Sequence, residues 1–217
     1  MFPRRKCCNS EKRMSSVDKK RYSASAVKVS FWFAEFRKVM QMLGRGYGMS
    51  EIKELNLREN IFSTSTPLRA KQIFQTVSGR VLALDADICA LFLSSDLATQ
   101  KLIALVAAMA YDELFFDFVY EVVREKMIMG NDQLTDSDIR VFFKEKQEQD
   151  ERVARWTDAT FVRLAKCYKT MLYEAGIINK DVGARIIIPP IVDPQLQGWL
   201  EDHGMTRYAK ALTGERS

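Results

Sequence analysis

The sequence holds a single histidine, His203, in 217 residues. A histidine-based metal site or catalytic dyad therefore has almost no material to draw on. The four cysteines, Cys7, Cys8, Cys89 and Cys167, contain no C-x-x-C pair, and adjacent cysteines rarely bridge. That spacing argues against a disulfide framework or a zinc site and fits a reduced compartment. The glycine cluster Gly44-Arg-Gly46-Tyr-Gly48 has no preceding strand and no following Gly-Lys-Ser/Thr, so it resembles a phosphate loop only in letters. No apolar run approaches the roughly 20 residues a bilayer span requires. The most hydrophobic window, 102–111, is bounded by Lys101 and by Asp112-Glu113 and reads as a buried core helix. The basic start carries no apolar leader segment, so no secretory signal is read and a cytoplasmic location without membrane contact is expected.

Hydrophobic residues at 47% beside 28% charged describe a globular chain long enough for one domain or two small ones. The net charge of +5 is unevenly spread. Arg4, Arg5, Lys6, Lys12, Arg13, Lys19, Lys20, Arg21 and Lys28 face only Glu11 and Asp18 in the first thirty positions. Residues 1–26 are polar, serine-rich and aperiodic, and read as a disordered basic arm. The rest is close to neutral, so a basic footprint on the folded body has to come from clustering.

The body reads as mainly α, a helical bundle with helix-turn-helix units. An N-terminal helical domain is placed at 27–130. A helix begins at Phe31 and stops at the glycine cluster. Ser50 opens a short helix, and Thr66-Pro67 opens the next, with a cap followed by proline at the first helical position. Arg69 and Lys71 lie on the outer side of that helix, making a second, wingless helix pair a candidate contact. An apolar helical centre follows from Asp85 to Met129, with a break at 94–96 and a long run from Leu105 to Val122. Asp112, Glu113, Asp117 and Glu121 share one side of it and read as a solvated or partner-facing acidic stripe.

Residues 131–217 form the second expected unit. Thr135 caps a helix with Ile139, Phe142 and Phe143 at i, i+3, i+4 spacing. The charged stretch 144–152 either extends that helix or forms a helical insertion. Thr157 opens a second helix whose inward stripe runs Phe161, Leu164, Ala165, Tyr168 and Leu172, and Gly176 stands where a left-handed residue ends helices. Then come Ile177-Ile178, a polar turn over 179–183, and the β-branched 185–188 closed by prolines, a small hairpin. Helix, helix, hairpin is the order of a winged helix-turn-helix, which presents its last helix to a DNA groove. About 100° per residue places Ala159, Arg163, Lys166 and Thr170 opposite the buried stripe, with Lys169 on the flank. The expected DNA-contacting residues are Arg155, Thr160, Arg163, Lys166, Lys169, Lys180 and Arg185, with Arg69 and Lys71 on the first pair. A short amphipathic helix starts after Asp193-Pro194, and His203 sits near its end as a dipole-complementing surface residue.

The early Glu35-Phe-Arg helix, Asn60-Ile-Phe with Thr66-Pro-Leu-Arg69, Trp156-Thr-Asp-Ala-Thr160, Leu172-Tyr-Glu-Ala-Gly-Ile177, Ile188-Pro-Pro and Gly198-Trp-Leu together carry a resemblance. The chain from about Val29 to Gly214 resembles BrxA, a family of small accessory proteins of BREX (bacteriophage exclusion) defence systems. The resemblance implies a non-enzymatic component working beside a methyltransferase, an alkaline-phosphatase-like protein and ATPases. The family has also been likened to NusB, an all-helical RNA-binding factor. Expected partners are thus double-stranded DNA first, other BREX proteins as a scaffold alternative, and RNA behind both. Neither cofactor nor metal is expected, and no motif marks an enzyme.

Overall fold

The computed structural model describes residues 22–180 and 185–215. Its helices are α1 (Phe33–Gly44), α2 (Met49–Glu59), α3 (Pro67–Val81), α4 (Ile88–Ser94) and α5 (Leu97–Tyr111), then α6 (Glu113–Phe118) and α7 (Arg124–Ile128), joined by a π-helical turn, Val119–Val123. After β1 (Gln133–Leu134) come α8 (Asp136–Gln149) and α9 (Asp158–Ala175), then β2 (Arg185–Ile186), α10 (Pro194–Asp202) and α11 (Thr206–Thr213). The mainly α expectation holds.

The helices start where their caps are. Thr66 accepts from the Arg69 N–H, Asp96 from Thr99 and Thr157 from Thr160, while Thr135 and Asp138 cap each other reciprocally. Each such side chain satisfies one of the donors that a first helical turn leaves unpaired. Helix α9 ends on Gly176, whose φ of +85° lies in the left-handed region. Helix α5 is the axis: every residue from 102 to 110 is buried, and α1, α3, α4 and α9 pack around it. Among the described residues no helix is long and apolar enough to cross a membrane.

The long apolar run expected from Leu105 to Val122 is not one helix. It breaks at Asp112, which ends α5 and caps α6 by accepting from the Phe115 N–H at 3.2 Å. The buried apolar side chains form one connected core drawing on α1 to α6 and α8 to α11, so the turn at Gly130 divides the chain order without dividing the interior.

Of the basic arm, 1–21 lie outside the described residues. Its last stretch is part of the body: Tyr22 and Ala26 are buried, and Ser25–Lys28 form a 3-10 turn against α9. Tyr22 to Ala26 thus belong to the folded body rather than to the arm. The cause is the Tyr22 hydroxyl, which donates to the buried Asp117 carboxylate.

The hairpin is present in outline and larger than expected. Its stems meet as a bridge between Ile178 and Ile187, with Ile188 N–H donating to Ile177 O at 2.7 Å. Lys180 is the last described residue before 181–184, which lie outside the described residues. Gln133–Leu134 is a further strand that the sequence did not announce: β1 pairs antiparallel with β2 in the register Gln133 with Ile186 and Leu134 with Arg185. Two residues are too few for period-2 alternation to show. The charged stretch resolves in favour of a longer first helix, since α8 runs to Gln149 before a 3-10 turn at Val153–Arg155.

Candidate nucleic-acid interface

Helix α9 buries Leu164, Tyr168, Met171, Leu172 and Ala175. Tyr168 is the centre of that face, its ring 4.8 Å from Phe115, 5.5 Å from Phe118 and 6.0 Å from Phe143. With this stripe sealed, the helical period turns Ala159, Val162, Arg163 and Lys166 outward, and all four are exposed. Phe161 is only half-buried. With Ile139, Phe143, Val162 and Ala165 it lines a groove of about 350 Å³ between α8 and α9.

The nine expected contact residues fall into three groups. Arg163, Lys166, Arg155, Lys180 and Lys71 are exposed and make no ion pair among the described residues. Lys169 and Arg185, expected to face outward, are instead held within the protein. Lys169 Nζ lies 2.8 Å and Arg185 3.0 Å from the same oxygen, Oδ1 of Asp136. The hydrogen bond from Lys169, opposed by partial burial and helped by Arg185, keeps the Asp136 carboxyl below the usual range. One carboxylate in the first turn of α8 thereby ties α9 and β2 together. Thr160 and Arg69 form the third group. The Thr160 hydroxyl lies 3.1 Å from that of its cap Thr157, and the Arg69 guanidinium lies 5.0 Å above the Trp32 ring. The Thr170 hydroxyl, also expected outside, donates to the Lys166 carbonyl at 2.9 Å.

The acidic stripe is not a solvated side. Asp117 is 5% exposed and receives Lys146 Nζ at 3.0 Å, while Glu121 receives the same ammonium at 2.7 Å. Burial pushes the Lys146 ammonium toward neutrality, but its bonds to Glu121 and Asp117 outweigh that and hold it above the ordinary lysine value. Tyr22, raised by burial and then by Asp117, completes the cluster. Asp112 points inward as the α6 cap, and burial lifts its carboxyl to about 6. Arg80, 3% exposed, donates to the carbonyls of Ser30 and Phe31 and fixes the strap leading into α1. Lys146 went unread inside a charged stretch, and nothing in the sequence singled out Arg80. A signal existed for Lys146, which continues Ile139, Phe142 and Phe143 at i+7.

The glycine turn has no phosphate cradle. The N–H groups of Arg45, Gly46 and Tyr47 are spent on the carbonyls of Gln41, Leu43 and Met42, and that of Gly48 on Glu51 Oε2 at 2.6 Å. A phosphate nest needs those donors open.

Comparison with known proteins agrees with this architecture. A solved structure, an uncharacterized protein from Magnetospirillum magneticum, superposes with a TM-score of 0.77 over 90% of this chain and 100% of its own, at 19% identity, a likeness of fold. The curated "BREX protein BrxA" of Bacillus cereus (strain H3081.97) is 37% identical over 183 residues, 84% of this chain and 92% of that protein. The BrxA family model matches residues 20–204, a span that includes the Tyr22 anchor, both helix pairs and the β pair; the chain belongs to the BrxA family.

Proposed function

We propose that the protein is a non-enzymatic DNA-binding component of a BREX bacteriophage-defence system, gripping duplex DNA chiefly through backbone phosphates. The observation that carries this reading is the outward face of α9. Arg163 and Lys166 are exposed on a helix whose opposite side is sealed, and that helix stands in the order strand, helix, helix, paired strands. This is the order of a winged helix-turn-helix, in which the second helix of the pair meets the groove. Arg155 at the helix entrance and Lys180 at the wing extend the positive edge, and Asp136 holds the wing stem to the helix pair through Arg185 and Lys169. Few groups on the α9 face offer base-specific pairing, so phosphate contact dominates the reading.

Replacing Arg163 and Lys166 together by glutamate is expected to weaken duplex binding at least ten-fold, with an unchanged melting curve. Binding by the unaltered protein is expected to fall steeply with salt, because neutralised phosphates release counterions. A chain starting at residue 22 keeps the Tyr22 anchor and separates the body's affinity from that of the basic arm. Duplex binding insensitive to the double replacement would overturn the assignment. The scaffold alternative, in which other BREX proteins dock on this chain, is favoured by one observation. Ile191 is 96% exposed directly after Pro189-Pro190, and partner capture that survives high salt without DNA retention would support it.

A further inference from the structure

A second concave site is far from α9 in the chain and plays no part in the reading above. It is a groove of about 660 Å³ formed where the end of α1 meets the turn after α2. That volume lies within the roughly 300–1,000 Å³ usual for ligand clefts. Its floor is apolar, made by Met42, Leu55 and Ile61, and its rim carries Lys38, Arg45 and Tyr47. Lys38 and Gln41 on α1 and Arg45 at its C-cap follow at three- and four-residue spacing, so donors line one side of the groove over roughly 10 Å at 1.5 Å per residue. Lys38 spends one of its three N–H bonds on the Ile61 carbonyl, at 2.5 Å, and keeps the others for a ligand. Glu59 is the acid on the wall, and it lies 3.4 Å from Arg58. Tyr47 is 42% exposed on the glycine turn, with Gly46 at φ +92° and Gly48 on either side.

We propose that this groove binds an unpaired nucleotide of single-stranded nucleic acid, its base stacked on Tyr47 and its phosphates held by Arg45 and Lys38. An exposed aromatic beside a line of cations is the arrangement by which single strands are held without sequence preference. A duplex does not suit it, because paired bases are stacked on one another and offer no face to an outside ring. The backbone donors of the turn are all spent, so recognition falls to side chains, and that makes it separable by mutation.

The test is fluorescence anisotropy of the full chain with labelled oligothymidylate and oligouridylate of about 12 nucleotides, a length within single-strand footprints, beside a duplex of equal length. Tyr47→Ala is expected to weaken single-strand binding by roughly five-fold or more, the lower end of what loss of one stacked base does. Tyr47→Phe is expected to retain it, and duplex binding is expected to stay constant in both variants. Binding of either oligonucleotide, or of both, with this Tyr47 dependence supports the proposal and tells whether the ribose matters. Absence of single-strand binding, or single-strand binding untouched by Tyr47→Ala at an unchanged melting curve, overturns it. The Arg163 and Lys166 double replacement is expected to spare single-strand binding, so failure here and failure of the duplex reading are told apart.

Discussion

Two sets of cations on the same helix pair meet opposite fates. Lys146 on α8 is 2% exposed, enclosed by Asp117, Glu121, Tyr22 and the Phe142 ring. Arg163 and Lys166 on α9 stand in solvent with no ion pair among the described residues. The difference teaches where each charge acts. A buried ammonium has given up its hydration, so it must be matched and serves the fold. An exposed cation keeps its hydration until a phosphate displaces it and serves binding. Lys169 and Arg185 lie between the two sets, partly buried and already matched by Asp136.

The sharpest way to break this comparison is at Lys146. Lys146→Ala removes the cation and leaves the Asp117 carboxylate buried without its partner, a loss of about 3–5 kcal/mol for cutting one side of a buried pair. Urea unfolding of the variant is expected to show a lower midpoint at unchanged slope. Pairing Lys146→Met with Asp117→Leu is expected to recover much of the loss, because a well-packed apolar pair needs no charge balance. If the single variant unfolds at the same urea concentration as the parent, the cluster is incidental and the distinction between sealed and serving cations fails.

How far the sequence revealed these roles depended on how local they were. The caps at Thr66, Thr135 and Thr157, the stop at Gly176 and the sealed α5 rest on neighbours within four residues, and all could be read directly. So could Leu164, Tyr168 and Leu172 of the α9 stripe, since period decides which side faces in, whereas Phe161 and Ala165 of the same stripe are half-buried at the groove beside α8. Lys146 had a signal in its spacing for burial but none for its pairing, because its partner Asp117 is 29 positions away, and a lysine inside a charged stretch is ordinarily solvated. The fates of Lys169 and Arg185 depended on Asp136, 33 and 49 positions distant. The acidic stripe was misread for the same reason: Asp117 and Glu121 converge on Lys146 of another helix, while Asp112 caps α6. The α1–α2 groove was invisible for the same reason: it takes shape only when Leu55 and Ile61 pack beside the glycine turn.

A smaller effect is expected at Asp136, where the sets meet. Asp136→Asn releases Lys169 and Arg185 together. Asp136 is 56% exposed on its side chain, so the stability lost is about 0.5–1 kcal/mol, the range of surface pairs. Duplex binding is expected to strengthen modestly and to become more salt-dependent, because two further cations can neutralise phosphates. A loss of binding would mean that the pinned pair is needed to hold the wing stem in place, and would move Lys169 and Arg185 from the binding set to the folding set.

The smallest effect is expected at His203, whose membership of either set changes with pH. Its ring stacks on Trp199 at 4.1 Å and its Nε2 lies 3.1 Å from Asp87, which also accepts from the Trp199 indole at 3.0 Å. Asp87 immediately precedes α4, so the contact fastens α10 to the N-terminal end of α4. The hydrogen bond to the Trp199 carbonyl, opposed by desolvation and aided by Asp87 and Asp85, raises the imidazole above its ordinary value. A raised folded-state value means that the charged ring favours the folded chain. The stabilisation is therefore complete below about 6.5, the unfolded value, and fades as pH rises through the higher folded value. Melting temperatures at pH 6 and pH 8 are expected to differ slightly more for the parent than for His203→Gln, with Asp87→Asn behaving like the latter. An equal pH response in all three would show that the Trp199 indole bond alone fastens α10 to the body, leaving His203 as the uncharged cap its place at the helix end permits.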